Sequence, residues 1–240
     1  MATGTMKNPL RIALILATLA LASLLLAACG GDDESTGDGL PTASAGATTP
    51  AGTPLVTIPP VPSPINPSDC PPATGTAPEP DVSKTYPSAP EMTIDPAKKY
   101  TATIKTVRGD ITLDLMADIA PNHVNSFVFL AKDGFYDGVK FHRVVAGFVA
   151  QAGDPTGTGS GGPGYTVALE PSNIKFDRGV VGAARTNDPN SAGSQWFITF
   201  GNAEHLTGQY TVFASVSGGM DVADCIAQGD AIISIDIAES

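Results

Sequence analysis

The chain has 240 residues, with 13 Lys and Arg against 24 Asp and Glu and a formal net charge of −11. An acidic balance without a basic cluster excludes a nucleic-acid-binding surface. Three cysteines are too few for a disulfide framework and have no metal-ligand spacing.

Residues 1–28 read as a targeting segment. Lys7 and Arg11 give a positive start, and Ile12 to Leu26 is apolar apart from Thr18 and Ser23. Leu26-Ala27-Ala28-Cys29 then has the form of a lipobox, which predicts a bacterial lipoprotein with Cys29 lipidated at the mature N-terminus. The alternative is an uncleaved anchor helix, but Ile12–Ala28 sits at the short limit for a span. Either reading places the rest of the chain extracytoplasmic, on the membrane surface.

Residues 29–96 hold 15 of the 21 prolines among Thr, Ser, Ala and Gly. Such a composition buries too little apolar surface to offset backbone ordering, so a disordered tether is expected. Its carboxylates outnumber its single cation, Lys84, by nine to one.

Residues 97–240 are long enough for one domain with a substantial core. Tyr100–Thr106 and Asp110–Leu115 alternate with period two around Gly109, which predicts a hairpin. Pro121 can open a helix, and Val124, Phe127, Val128 and Ala131 then recur at helical spacing up to the stop at Gly134. Short β-rich runs follow at Val139–Val145, Phe148–Ala152, Tyr165–Leu169, Val180–Ala184, Gln195–Thr199 and Tyr210–Val216. Asp221–Gln228 reads as a second helix and Ile232–Ile237 as a closing strand. The pattern is mainly β, an antiparallel barrel or sandwich with helical caps. Cys70 and Cys225 either pair in an oxidising compartment, or Cys225 is a small buried residue and Cys70 a free thiol.

Two runs carry the chemistry: Phe141-His142-Arg143-Val144-Val145-Ala146-Gly147-Phe148-Val149-Ala150-Gln151-Ala152-Gly153-Asp154 and Gly193-Ser194-Gln195-Trp196-Phe197. In the first, an arginine and a glutamine alternate with large apolar residues. Desolvating a guanidinium beside such side chains is costly unless it serves a purpose. Other constellations fail. Gly157-Thr158-Gly159-Ser160-Gly161-Gly162 lacks the helix that dinucleotide binding needs. Ser194 is not in a nucleophile elbow, and His123, His142 and His205 have no ligand spacing. His142 alternates to the face opposite Arg143, which favours a structural role over that of a general base.

Over residues 98–238 these motifs resemble the cyclophilins, the peptidyl-prolyl cis/trans isomerases. The resemblance implies a closed eight-stranded antiparallel barrel with a helix over each open end. It further implies isomerisation of X–Pro bonds by a monomer with neither cofactor nor metal, the partners being proline-containing polypeptides. By position, Arg143, Gln151 and Phe148 match the family's catalytic residues. Val149, Ala184, Arg185, Gln195, Phe197, His205, Leu206 and Tyr210 match its substrate groove. Val149 stands where methionine is frequent, Arg185 where asparagine is common, and Tyr210 in place of a histidine. His205 stands where a tryptophan contacts cyclosporin. With the lipobox, this predicts an isomerase assisting secreted or surface proteins. A module that docks proline segments without turnover is the rival reading, and it has no need of a charge at the prolyl nitrogen.

Overall fold

The computed structural model describes residues 64–240. The targeting segment, Cys29 and the first half of the expected tether lie outside the described residues. Eight strands form one antiparallel sheet: β1 (Tyr100–Thr106), β2 (Gly109–Leu115), β3 (Arg143–Val145), β4 (Val149–Ala152), β5 (Val180–Ala183), β6 (Trp196–Thr199), β7 (Val212–Gly218) and β8 (Ile232–Glu239). Two helices accompany it, α1 (Pro121–Lys132) and α2 (Met220–Asp224). The strand order is β3-β4-β6-β5-β7-β2-β1-β8.

Register shifts in the β1–β8, β2–β7 and β5–β7 ladders mark irregularities that increase local twist and curl the sheet. The curl stops at a half-barrel, so the expectation of a closed barrel is corrected. β3 has three residues and ladders only with β4. Its other side meets β8 through the chain just before it, by an isolated bridge between Lys140 and Ala231. Phe141 N–H donates to the Asp230 carbonyl (2.8 Å), and Ile232 N–H donates to that of Val139 (2.9 Å). These bonds stitch one end of the seam, and the strands themselves remain unpaired across it.

Inside the curl, Ile104, Ile111 and Leu113 of the hairpin pack with Phe127, Phe141, Trp196 and Phe213. The predicted helical stripe is buried as expected, since Val124, Phe127, Val128 and Ala131 all lie in this core. No side chain of its own caps the start of α1. Glu170 does so from a distant segment, accepting the N–H groups of Asn122 and His123 (both 3.0 Å) and contacting His123 Nδ1 (2.6 Å). A carboxylate there satisfies donors the helix leaves unpaired and faces the positive end of its dipole.

This cap explains a second correction. Tyr165–Leu169 is not a strand and makes only the bridge Val167–Ala192. The Tyr165 hydroxyl goes to Ser126 (2.8 Å) and Glu170 to the helix end, so side chains rather than a ladder hold the segment. Helix α2 is shorter than the predicted Asp221–Gln228. It ends at Asp224, with Cys225 as its C-cap residue bonded to Cys70 and Ile226 buried in the core.

Composition also misplaced the boundary at residue 97. Residues 64–96, assigned to the tether, lie against the domain as a strap. The Cys70–Cys225 disulfide fixes one end. Thr74 and Gly75 both donate to the Val107 carbonyl (2.9 Å each), and Arg108 donates to that of Pro71 (2.9 Å) and pairs with Asp230. Farther along, the Tyr86 ring packs edge-on against Phe129, with centroids 5.1 Å apart, and its hydroxyl donates to Asp133 (2.7 Å). Ile94 is buried in the core.

Candidate active site

A second apolar cluster lies outside the main core. Val149, Phe176, Val180, Phe197 and Val212 are its buried floor, and Phe148, Ala184, Leu206 and Tyr210 are half-buried around it. Phe197 stacks on Phe176 at 5.6 Å, and Tyr210 meets its edge at 5.9 Å. Gly182 makes this possible. A Cβ there would lie 2.6 Å from both Phe176 and Phe197, so any side chain would push the floor apart. The result is an apolar recess with a buried floor and a half-buried rim.

The charged and polar residues line its edge. In the β3–β4 ladder Arg143 stands directly opposite Gln151, and Gln151 opposes Phe197 across β4–β6. Three adjacent strands therefore bring the guanidinium, the amide and the apolar floor into one row. Arg143 is exposed, and its guanidinium carbon lies 5.8 Å from the centroid of the Phe148 ring. The β3–β4 turn sets that geometry: Phe148 N–H closes onto the Val145 carbonyl (3.0 Å), with Gly147 at φ 70°. His205, on the 3-10 turn Glu204–Leu206, stacks against Phe148 with ring centroids 5.8 Å apart.

Gln151 Nε2 donates to Gln195 Oε1 (2.9 Å), and Gln195 Nε2 in turn donates to the carbonyls of Gly159 (3.0 Å) and Gly161 (2.9 Å). The glycine-rich segment is thereby tied to β4. Its inner end is organised by Asp154, which accepts the N–H groups of Thr156 (2.7 Å), Gly159 (2.6 Å) and Gly161 (3.0 Å). Burial opposes ionisation of Asp154, but these bonds and the Thr156 hydroxyl outweigh it and hold the carboxyl below its ordinary value. His142 lies under this segment, its ring within 4 Å of where a Cβ on Gly159 would sit. Burial pushes the imidazole pKa down, against the nearby Asp154 charge, so at neutral pH it is uncharged.

Beyond Gln151 and Ala184 lies a second pocket of about 580 Å³, walled by the glycine-rich segment on one side and by Arg185 and Thr186 on the other. Arg185 also stacks on Tyr210, 4.3 Å from its centroid. Every groove residue expected from the motifs thus lies in this region. Phe176 and Met116, which complete the floor, and strap residue Thr85, which lines the second pocket, carry no local sequence signal. Phe176 sits in a run without periodicity, and Thr85 lies among prolines.

The family model for cyclophilin-type peptidyl-prolyl cis-trans isomerases matches residues 101–236. The chain belongs to the cyclophilin family. It is 46% identical over 148 residues to a peptidyl-prolyl cis-trans isomerase of Helicobacter pylori, covering 60% of this chain and 90% of the relative. Over 141 residues it is 42% identical to peptidyl-prolyl cis-trans isomerase A of Mycobacterium tuberculosis, covering 52% and 78%. Among solved structures, a Cryptosporidium parvum cyclophilin crystallised in the presence of the dipeptide Ala-Pro aligns with a TM-score of 0.54 and 30% identity, over 58% of this chain and 99% of that one. This cyclophilin is therefore a peptidyl-prolyl cis-trans isomerase, and its strap lies outside the matched span.

Proposed function

We propose that Arg143 donates the hydrogen bond on which turnover depends, while Gln151 and the recess around Phe148, Val149, Phe197 and Leu206 hold the proline. Rotation about an X–Pro bond crosses a barrier of about 18–20 kcal/mol because amide resonance is lost at the twisted transition state. The prolyl nitrogen then becomes pyramidal and regains a lone pair. A donor aimed at that nitrogen binds the transition state better than either ground state, which is the condition for catalysis. The observation that carries the reading is the register of Arg143 against Gln151, with the guanidinium over Phe148 and no carboxylate partner among the described residues. An arginine neutralised by an acid would be a poorer donor there.

One charge-assisted hydrogen bond supplies about 1.5–3 kcal/mol. Bringing tens-of-seconds exchange to milliseconds requires about four decades, roughly 5–6 kcal/mol. The remainder comes from gripping the substrate: the amide of Gln151 on its backbone and the apolar recess on the proline ring. Neither a covalent intermediate nor a proton transfer is needed. Exchange spectroscopy on a proline peptide with the purified full chain tests the activity. Peptide binding without acceleration over buffer would make the protein a docking module.

The enzyme acts, in this reading, outside the cytoplasmic membrane on secreted or surface proteins, tethered through lipidated Cys29. Support comes from the lipobox at Leu26–Cys29 and from the Cys70–Cys225 disulfide, a bond that persists in oxidising compartments. Cys29→Ser should accumulate as unprocessed precursor. A mature N-terminus at any other residue, read by mass spectrometry, overturns the tether.

A further inference from the structure

We infer that Arg185 makes the second pocket a selector for an acidic side chain flanking the X–Pro bond, an inference that rests on the groove reading above. The described residues contain four arginines. Two are neutralised within the fold, Arg108 by Asp230 and Arg178 by Asp224. Arg143 and Arg185 have no carboxylate partner among the described residues, and both line the groove region.

Arg185 is oriented by backbone carbonyls and an aromatic ring. Its Nε and Nη2 donate to the Gln209 carbonyl (3.1 and 3.0 Å), its Nη1 donates to that of Thr186 (2.8 Å), and its plane lies over Tyr210. Carbonyl partners orient a guanidinium without cancelling its charge, and a fixed fork loses little entropy on binding an anion. One Nη2 N–H has no partner among these bonds, so a hydrogen bond to a carboxylate is available as well as the charge.

The pocket is suited to such a group. Arg185 is the only charged residue lining it among the described residues, and the other walls offer hydroxyls and amides, among them those of Thr85, Ser160, Thr186, Gln151 and Gln195. Two acids of the neighbouring loops form no ion pair with Arg185 and accept backbone N–H groups instead. Asp154 lies behind Gly161 with its oxygens bonded to backbone N–H groups, and Asp188 accepts from Asn190 N–H (2.9 Å). Ala184 and Gln151 line this pocket and also flank the proline recess. A substrate whose proline fills the recess thus has a neighbouring side chain within reach of the pocket. A carboxylate there meets an uncompensated cation, whereas a lysine is repelled by it.

Matched proline peptides test this with the full chain, placing Glu, Gln or Lys in turn at each of the three positions on either side of the X–Pro pair. Both kcat/KM and peptide affinity are read. At low salt, one position should favour Glu over Lys by about three- to tenfold, mostly through KM, and the ratio should shrink as salt screens the pair. Arg185→Gln should bring the ratio close to one, and Arg185→Lys should retain it, whatever the absolute rates. A wild-type ratio near one at every position overturns the inference, as does a ratio that survives Arg185→Gln. If Arg185→Gln fails to fold, the wild-type salt series and Arg185→Lys still decide. Absent turnover with the Glu preference intact in binding would sink the isomerase reading and leave the selector standing.

Discussion

Cys70 and Cys225 are joined across a sequence separation of 155 residues, so the disulfide ties a proline-rich segment to the end of α2. Closing so long a loop restricts the unfolded chain strongly. Cys70→Ala should therefore lower stability by about 2–4 kcal/mol. Urea melts with and without reductant check this: wild type should lose stability on reduction, and the variant should not respond. Truncation at residue 97 should cost still more, because it also removes Tyr86 and the buried Ile94. A truncated chain as stable as the full one would mean that the strap contributes nothing.

How much of this was legible follows from where each signal lies. The β1–β2 hairpin and α1 were readable because their apolar residues repeat with periods of two and 3.6 within one short window. The groove was readable because Arg143, Phe148 and Gln151 fall within nine residues and Phe197 in a second compact motif. The strap was not. Tyr86 finds Phe129 and Glu170 finds α1 through contacts more than forty residues apart, and no local pattern announces either. The open seam was also hidden, because it depends on β3 being only three residues long. Strand length is the feature that alternation defines least well.

Arg143→Ala should lower kcat/KM by about ten- to several-hundred-fold, equivalent to roughly 1.5–3 kcal/mol of transition-state stabilisation. Its side chain is exposed and makes no ion pair among the described residues, so the melting transition should not move. Peptide exchange rates and a thermal melt on the same preparation separate the two effects. A variant retaining wild-type turnover would remove Arg143 from the mechanism.

The rate should be nearly flat between about pH 7 and 9, because arginine stays charged and no proton is transferred. His142 does not enter this window: its pKa is pushed down by burial, so it is neutral throughout. A bell-shaped profile abolished by His142→Ala would restore the general-base reading.

Stability should respond to acid through Glu170. Burial opposes its ionisation, but the bonds from His123 and Asn122 outweigh it and hold the pKa below the ordinary value. A carboxylate depressed in the folded state contributes stability above its unfolded pKa, and that contribution is lost as pH falls through the folded pKa. Wild type should therefore weaken below about pH 4.5. Glu170→Gln should be weaker by about 1–3 kcal/mol at pH 7 and less sensitive to acid. Urea melts at neutral and acid pH measure both. Parallel losses in the two proteins would place the acid response elsewhere, with Asp154 the next candidate.

His205 stacks on Phe148 at the exposed rim of the recess, at the position where the family resemblance expects a tryptophan that contacts cyclosporin. Tryptophan offers a broad apolar face and one N–H donor, whereas histidine keeps a donor but loses most of that area. At roughly 25 cal/mol per Å², losing some 60–100 Å² of contact costs about 1.5–2.5 kcal/mol. That is about ten- to seventyfold in affinity. Cyclosporin should thus inhibit this protein weakly, and His205→Trp should strengthen inhibition more than it changes turnover, since Arg143 and Gln151 are untouched. Inhibition constants for the two proteins, measured beside their kcat/KM, decide the matter. Nanomolar inhibition of the wild type would show that the drug's contact at this rim does not depend on the residue at 205.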